Sequence, residues 1–328
     1  MKNTHCSGMT FFAHRSATAR PSGLRILLAL LLGACGAAQA QSTVTVYGKL
    51  DVGARKAIGS VDKEIATSGD SRLGFRGTED LGNGLQAFFG FEHRFFPDTG
   101  TVDGSQFWKG YAHVGLAGGF GRMGLGRQYV AAFSLAQNLI DPFGGDTVAQ
   151  VRDAALRLGG IAKVRINDSV RYDYSADGRT VAVSVAESNT NGGPDRPMSV
   201  AANLKTGPWL LAAGLEDPAG ANDQLWNLGA AYNTGSITFS AGYADGKTDA
   251  SVAAKGYALG LSMQAGPAGE FKAAYGTLKL GGVKTVNKLG VGYHYALSKR
   301  TLVYADAARD GKAAVEKTGY DIGIRHNF

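Results

Sequence analysis

Gln128–Arg157, QYVAAFSLAQNLIDPFGGDTVAQVRDAALR, is the longest stretch after residue 41 that does not alternate apolar with polar. Pro142, Phe143, Gly144 and Gly145 end regular structure within it. Asp141, Asp146 and Asp153 place three carboxylates in a short span, and these need water or cations nearby. A long loop of this kind in a compact domain is usually functional. On both sides the chain has the period of a strand. If those strands close into a barrel, the loop folds into the lumen and narrows a water-filled pore.

The flanking pattern begins at Thr43, with Val44, Val46, Gly48, Leu50 and Val52 on one face and Thr45, Tyr47, Lys49 and Asp51 on the other. Ser71–Thr78 sets Leu73 and Phe75 against Arg72 and Arg76, and Asn83-Gly84 then gives a tight hairpin. The spacing predicts strands at 107–117, 120–127 and 157–174, with Arg157, Lys163, Arg165, Asn167, Ser169 and Arg171 at even positions in the last. Ten shorter strands follow, near 179–188, 197–206, 208–217, 224–234, 236–245, 255–265, 269–278, 285–296, 300–309 and 318–328. The total is sixteen, an even number. These strands are too many for one sandwich of about 100 residues. Tyr and Phe gather near strand ends, and Arg and Lys recur on the polar faces, which suits a wet interior. Only a closed barrel satisfies every backbone group in lipid. The reading is an all-β, closed antiparallel transmembrane barrel.

Residues 1–40 hold Lys2, Arg15, Arg20 and Arg25 and no acid; Ile26–Ala38 is apolar throughout, and Ala38-Gln39-Ala40 fits a small-x-small cleavage site. The segment reads as a secretory signal peptide, leaving 41–328 as the barrel domain. Leu32-Gly33-Ala34-Cys35 also resembles a lipoprotein cleavage box. Taking the four leader cations from the 34 leaves 30 basic residues against 27 acids, so the net charge falls from +7 to +3. That weakens nucleic-acid binding as an explanation. Cys6 and Cys35 both fall in the leader, so residues 41–328 contain no cysteine. The 48 glycines suit many tight turns and some glycine inside strands.

Val46-Tyr47-Gly48, Ser71–Gly82 (SRLGFRGTEDLG), Gly119-Phe120-Gly121, Gly126-Arg127-Gln128, Pro142–Gly145, Asn167–Tyr172 (NDSVRY) and the closing Phe328 resemble Gram-negative general-diffusion porins of the trimeric proteobacterial type. The resemblance implies an outer-membrane homotrimer in a lipid bilayer with lipopolysaccharide, and a third loop that forms the constriction. It places Lys49, Arg72 and Arg157 on basic wall positions and Asp146 on the loop opposite. Arg76, Arg165 and Arg171 share the lumen face by parity. Where the family's fourth strand opens with Arg this chain has Gly110, and Lys109 beside it falls on the opposite parity, so a rung is expected to be missing. Tyr320, Ile322, Ile324, His326 and Phe328 occupy alternate terminal positions and resemble the signal read by the outer-membrane insertion machinery. The chain looks short for the family, implying clipped outer loops.

Charged rings at a narrow point bias ion flow. The basic candidates outnumber Glu92, Asp141, Asp146 and Asp153, so mild anion preference is expected, with ions and small hydrophilic solutes as cargo. Other readings of the residues stay open: Asp141 capping the turn before Pro142, or Asp153 and Arg157 forming a helical i, i+4 pair. No nucleophile elbow, paired catalytic carboxylates or metal-ligand spacing stands out, so no enzyme, cofactor or metal is expected. GFGRMG at 119–124 fits GxGxxG by letter, but its context is a hairpin. The competing functions are a substrate-specific channel, a barrel enzyme and a secreted β-rich binding protein.

Overall fold

A computed structural model describes residues 42–328; the expected signal peptide lies outside them. Its strands are β1 Thr43–Lys56, β2 Glu64–Ala66, β3 Arg72–Gly82, β4 Leu85–Phe96, β5 Thr101–Val102, β6 Tyr111–Gly118, β7 Gly121–Tyr129, β8 Arg165–Ala176 and β9 Arg179–Ala186. The second half adds β10 Met198–Thr206, β11 Trp209–Asp217, β12 Gln224–Asn233, β13 Ile237–Lys247, β14 Ala253–Ala265, β15 Gly269–Leu280, β16 Val283–Ala296, β17 Thr301–Asp310 and β18 Thr318–Asn327. β2 and β5 are short ladders on β1 and β4. The other sixteen form the wall, each antiparallel to its neighbours, and β1 pairs with both β3 and β18, so the sheet closes.

The alternation explains which face meets what. In β1, Val44 and Val46 are 66% and 55% exposed, whereas Lys49 and Asp51 are 7% and 0% exposed. In β9, Val181, Val183 and Val185 are exposed while Ala182, Ser184 and Ala186 are buried. Apolar outside and polar inside is the reverse of a water-soluble sheet, and it fits a wall surrounded by hydrocarbon. Aromatic pairs such as Trp209–Tyr232 and Phe271–Tyr293 stand near strand ends, where ring and hydroxyl meet the interface. The hairpin between β3 and β4 turns on Asn83 and Gly84, both with φ above zero, as its two-residue loop demands.

Connections alternate between tight turns and longer loops, except that β15 and β16 are joined by Gly281-Gly282 alone, and the longest runs from 130 to 164. It contains two short helices, α1 Ala131–Leu135 and α2 Arg152–Ala155, and 3-10 turns at Gln137–Leu139 and Leu158–Gly160. The 157–174 strand expected from parity starts only at Arg165, because a helical turn takes up 158–160. The expected strand at 107 likewise begins at Tyr111.

This segment runs along the inner wall. Ser184 of β9 and Ser199 of β10 accept from the amides of Ala131 and Ala132. Further round, Ser240 of β13 donates to the Ile140 carbonyl, Lys272 of β15 to the Pro142 carbonyl, and Asp321 of β18 accepts from Val148 N–H. Apolar loop residues build two greasy clusters against that wall: Val130, Ala131, Ala132 and Phe133 with Ala182 and Ala201, and Ile140, Phe143, Val151 and Leu156 with Ala258 and Ala274. Wall glycines make room. A Cβ on Gly214 would lie 2.9 Å from Ala132 Cβ, on Gly276 2.6 Å from Val151 Cβ, and on Gly256 it would overlap the Ala155 carbonyl oxygen. Part of the glycine excess thus serves close approach rather than turning.

Candidate constriction of a water-filled pore

Because the loop seats against β9–β18, open space remains beside β3, β4 and β8. A polar cavity of about 560 Å³ is lined there by Arg72, Arg94, Lys109, Arg152, Arg157 and Arg165 and by Asp70, Asp103, Asp146 and Asp153. Strand register builds its basic wall: Lys49 lies opposite Arg72, and Arg72 opposite Arg94. Cross-strand partners share a face, and like charges there repel. Carboxylates interleave to relieve this. Glu92, 2% exposed, accepts from Arg94 at 2.6 Å, lies 3.9 Å from Arg72 and accepts from the Tyr47 hydroxyl at 3.0 Å. Arg94 also donates to Asp70 at 2.9 Å and to the Tyr129 hydroxyl at 3.2 Å.

Arg165 differs from its neighbours. It donates to the Tyr129 hydroxyl at 2.7 Å and lies over that ring, 4.4 Å from its centroid; among the described residues it has no carboxylate partner. Its charge is therefore delivered uncompensated to the cavity.

On the loop side, Asp146 is held by Lys49 at 3.1 Å and Arg325 at 3.2 Å, which clips the loop to β1 and β18. Asp153 receives both Arg152 and Arg157 at 3.0 Å. Burial pushes Asp153 towards its neutral form, but those two guanidinium groups outweigh it and hold the carboxyl below the usual range. Asp70 behaves likewise, burial being outweighed by Arg94 and Arg72. Gly144 and Gly145 adopt φ of 64° and 75°; a Cβ on Gly145 would overlap the Arg152 guanidinium. Those glycines let Arg152 cross the turn and donate to the Gly144 carbonyl at 2.9 Å. Phe143 is buried against His294, their ring centroids 6.1 Å apart.

Not every sequence candidate meets here. Lys49, Arg72, Arg165, Asp146 and Asp153 converge on the cavity or its rim. Arg157 does too, but from the loop: it lies ahead of β8, bonded to Asp153 and the Ala162 carbonyl, and is not a wall residue. Asp141 is buried away from the cavity, where it accepts the amides of Phe143, Val151 and Arg152 and ties the turn at 141–143 to the start of α2. Its role is the turn cap. Arg76, over the Tyr47 ring, and Arg171, paired with Asp173 at 2.6 Å, lie on the inner face but nearer the tight turns. Lys163 offers its backbone amide to Glu216 and does not line the cavity. Lys109 reverses its expectation. It precedes β6, so strand parity does not govern it, and it turns inward to Asp103. Gly110 beside it leaves room for Glu92, since a Cβ there would overlap Glu92 Oε1.

Sequence reasoning gave no site role to Arg94, Arg152, Arg325, Asp70 or Asp103. Strand parity sets Arg94 on the polar face with Glu92 but does not single it out, and the same parity could have found Arg325. Asp70 and Asp103 lie in connections, which carry no such signal. At the end of the chain Ile322, Ile324 and Phe328 are exposed on the outward face. Phe328 exchanges both backbone hydrogen bonds with Gly48, closing the seam.

The model of the Gram-negative porin family matches residues 27–313. Outer membrane porin protein 32 of Delftia acidovorans is 30% identical over 92% of this chain and 99% of its own length. An outer membrane porin protein of Bordetella pertussis is 27% identical over 92% of this chain and 98% of its own length. Among solved structures, an anion-selective porin from Comamonas acidovorans superposes with a TM-score of 0.76 at 28% identity, over 88% of this chain and all of that one. A barrel that is greasy outside, charged inside and closed on itself is a conduit through an outer membrane, not a packed core. The chain belongs to the Gram-negative porin family and is an outer-membrane channel for passive diffusion of ions and small hydrophilic solutes.

Proposed function

We propose that the channel prefers anions, and that the cavity between the 130–164 loop and the basic wall is its constriction. The observation carrying this is the charge lining that cavity, where six cationic side chains stand against four carboxylates. The two surplus charges are mobile-ion attractors, not traps, because water keeps each attraction near thermal energy. The resemblance to a structure described as anion-selective, at 28% identity, supports the same reading. The test is the reversal potential of the refolded channel in a planar bilayer under a KCl gradient. A potential with the sign of chloride selectivity is expected; clear cation selectivity would overturn the reading.

Three further roles are proposed with it. Residues 1–40 act as a cleaved secretory leader, and the terminal strand ending on Phe328 acts as the assembly signal. The barrel assembles as a homotrimer. Support for the last comes from an outward aromatic cluster, in which Phe75 and Phe91 lie 5.3 Å apart and Phe91 and Trp108 4.7 Å apart. A heat-modifiable oligomer on mild denaturing gels is expected; a monomer under every mild condition would refute it.

A further inference from the structure

The inner wall carries a run of aromatic rings that a charged, water-filled passage does not require. Phe133 of α1 stacks on Tyr129 of β7, with centroids 5.5 Å and planes 7° apart. Tyr129 lies 6.3 Å from Tyr111 of β6, which lies 5.0 Å from His113, and His113 lies 5.7 Å from Phe88 of β4. Register puts these rings in the lumen. Tyr111 pairs with Glu92, His113 with Gly90 and Gly115 with Phe88, on the face of β4 that also carries Arg94. Phe133 and Tyr129 line the charged cavity itself. From there the run descends β6 and β4 towards the tight turn at Asn83-Gly84, so a strip of rings follows one side of the passage from the constriction downwards.

Arginines accompany the strip. Arg165 lies over Tyr129, Arg152 over Phe133 and Arg122 over Phe88, at 4.4, 5.0 and 3.6 Å from the ring centroids. The two end rings, Phe88 and Phe133, are buried beneath their guanidinium groups, whereas Tyr111, His113 and Tyr129 are half-buried and show ring surface to the lumen. Among the described residues Arg165 gives one hydrogen bond, to the Tyr129 hydroxyl, out of the five N–H groups a guanidinium carries. It therefore keeps donors for a carboxylate at the point where the strip begins. A transverse field between charged walls penalises an apolar body. Rings set beside the arginines lift that penalty for a flat one, because guanidinium planes and aromatic edges both attract an aromatic ring.

We propose that this strip is a conduction track for aryl carboxylates, small planar rings bearing one carboxylate. Arg165 takes the carboxylate while the ring lies against Tyr129, Tyr111 and His113, and Arg122 receives the carboxylate at the lower end. A solute with both a charge and a flat ring is held better than one with either alone. Several weak contacts in sequence let it enter and leave, as conduction requires. The proposal rests on the reading of the cavity as an anion-preferring constriction, and adds to it the class of organic anion.

The experiment records KCl current through the refolded channel in a planar bilayer as potassium benzoate, potassium cyclohexanecarboxylate or benzamide is added. The two carboxylates match in charge and nearly in size and differ in the aromatic face, whereas benzamide keeps the ring and lacks the charge. Benzoate half-blocks the current at a concentration roughly threefold or more below cyclohexanecarboxylate and about tenfold below benzamide. With benzoate facing chloride, the zero-current potential shows benzoate crossing more readily than cyclohexanecarboxylate does. Tyr111→Leu removes the middle ring and brings the two carboxylates together, while Phe271→Leu on the lipid face keeps them apart. Equal block by the two carboxylates in wild type, a comparison that needs no variant to fold, would overturn the proposal. So would equal block by benzamide, benzoate that blocks without crossing, or undiminished discrimination in Tyr111→Leu. The KCl reversal potential of the same channels reports separately on anion preference: chloride selectivity with equal block removes the track alone, and cation selectivity removes the reading beneath it.

Discussion

Replacing Arg165 by Gln isolates the electrostatic part of selectivity. Among the described residues its guanidinium is bound only to Tyr129, so the change deletes a positive charge without orphaning a carboxylate. Tyr129 keeps a donor in Arg94. The stability cost is one hydrogen bond and one cation–π contact, about 1 kcal/mol. For transport, an anion passing ~6 Å from a unit charge in water-like surroundings is stabilised by about 0.7 kcal/mol, roughly a threefold difference in its local concentration. The chloride-to-potassium permeability ratio should therefore fall about two- to threefold in R165Q and stay near wild type in R165K. The assay is the zero-current potential across a planar bilayer at a fixed salt ratio, once around 0.1 M and once around 1 M. Screening shortens from about 10 Å to 3 Å between these conditions, so the difference should shrink at high salt. An R165Q channel with the wild-type potential at low salt, or with the same shift at both salts, would refute the reasoning.

Other side chains test the remaining parts. Arg94→Gln leaves buried Glu92 without its closest cation and should destabilise the barrel by about 3–5 kcal/mol. E92Q in the same chain should recover most of the lost unfolding temperature, and failure of that recovery would count against the pair. Gly256→Val drives a side chain into the Ala155 carbonyl and should unseat α2, giving larger or noisier single-channel currents; steady wild-type currents would contradict the seating. Asp146→Asn frees Lys49 and Arg325, which should raise anion preference and cost about 1 kcal/mol of thermal stability, with reversal potential and melting as readouts.

The wall was legible because strand parity is a local property. Val44 and Lys49 declare their faces within a few residues, and sixteen such segments leave few ways to close. Element ends were less so: a run such as Arg157, Lys163 and Arg165 keeps even spacing across a 3-10 turn, so parity alone extended β8 eight residues too far. The loop's composition announced a special segment, yet not which carboxylate did what. Asp141 and Asp146 are five residues apart in similar company, and only the path of the chain turns one into a buried cap and the other into a clip to Lys49 and Arg325. Lys109 was misplaced for a related reason. Parity was applied to a residue that the fold keeps outside any strand.

The two sides of the loop explain why the charged cavity lies beside β3, β4 and β8. Phe133, Ile140, Val151 and Leu156 need a dry surface, and the inner wall from β9 to β16 offers alanine and glycine at the matching places. Seating there turns Asp146, Arg152, Asp153 and Arg157 towards the opposite wall, where Arg72, Arg94 and Arg165 stand. Water is then confined between two charged surfaces whose separation is fixed by an apolar contact behind one of them. Geometry and charge are therefore set by different residues. A substitution at Gly256 moves the loop with every pore charge intact, and one at Arg165 changes the charge with the loop in place, so the two should alter conductance and selectivity independently and add when combined.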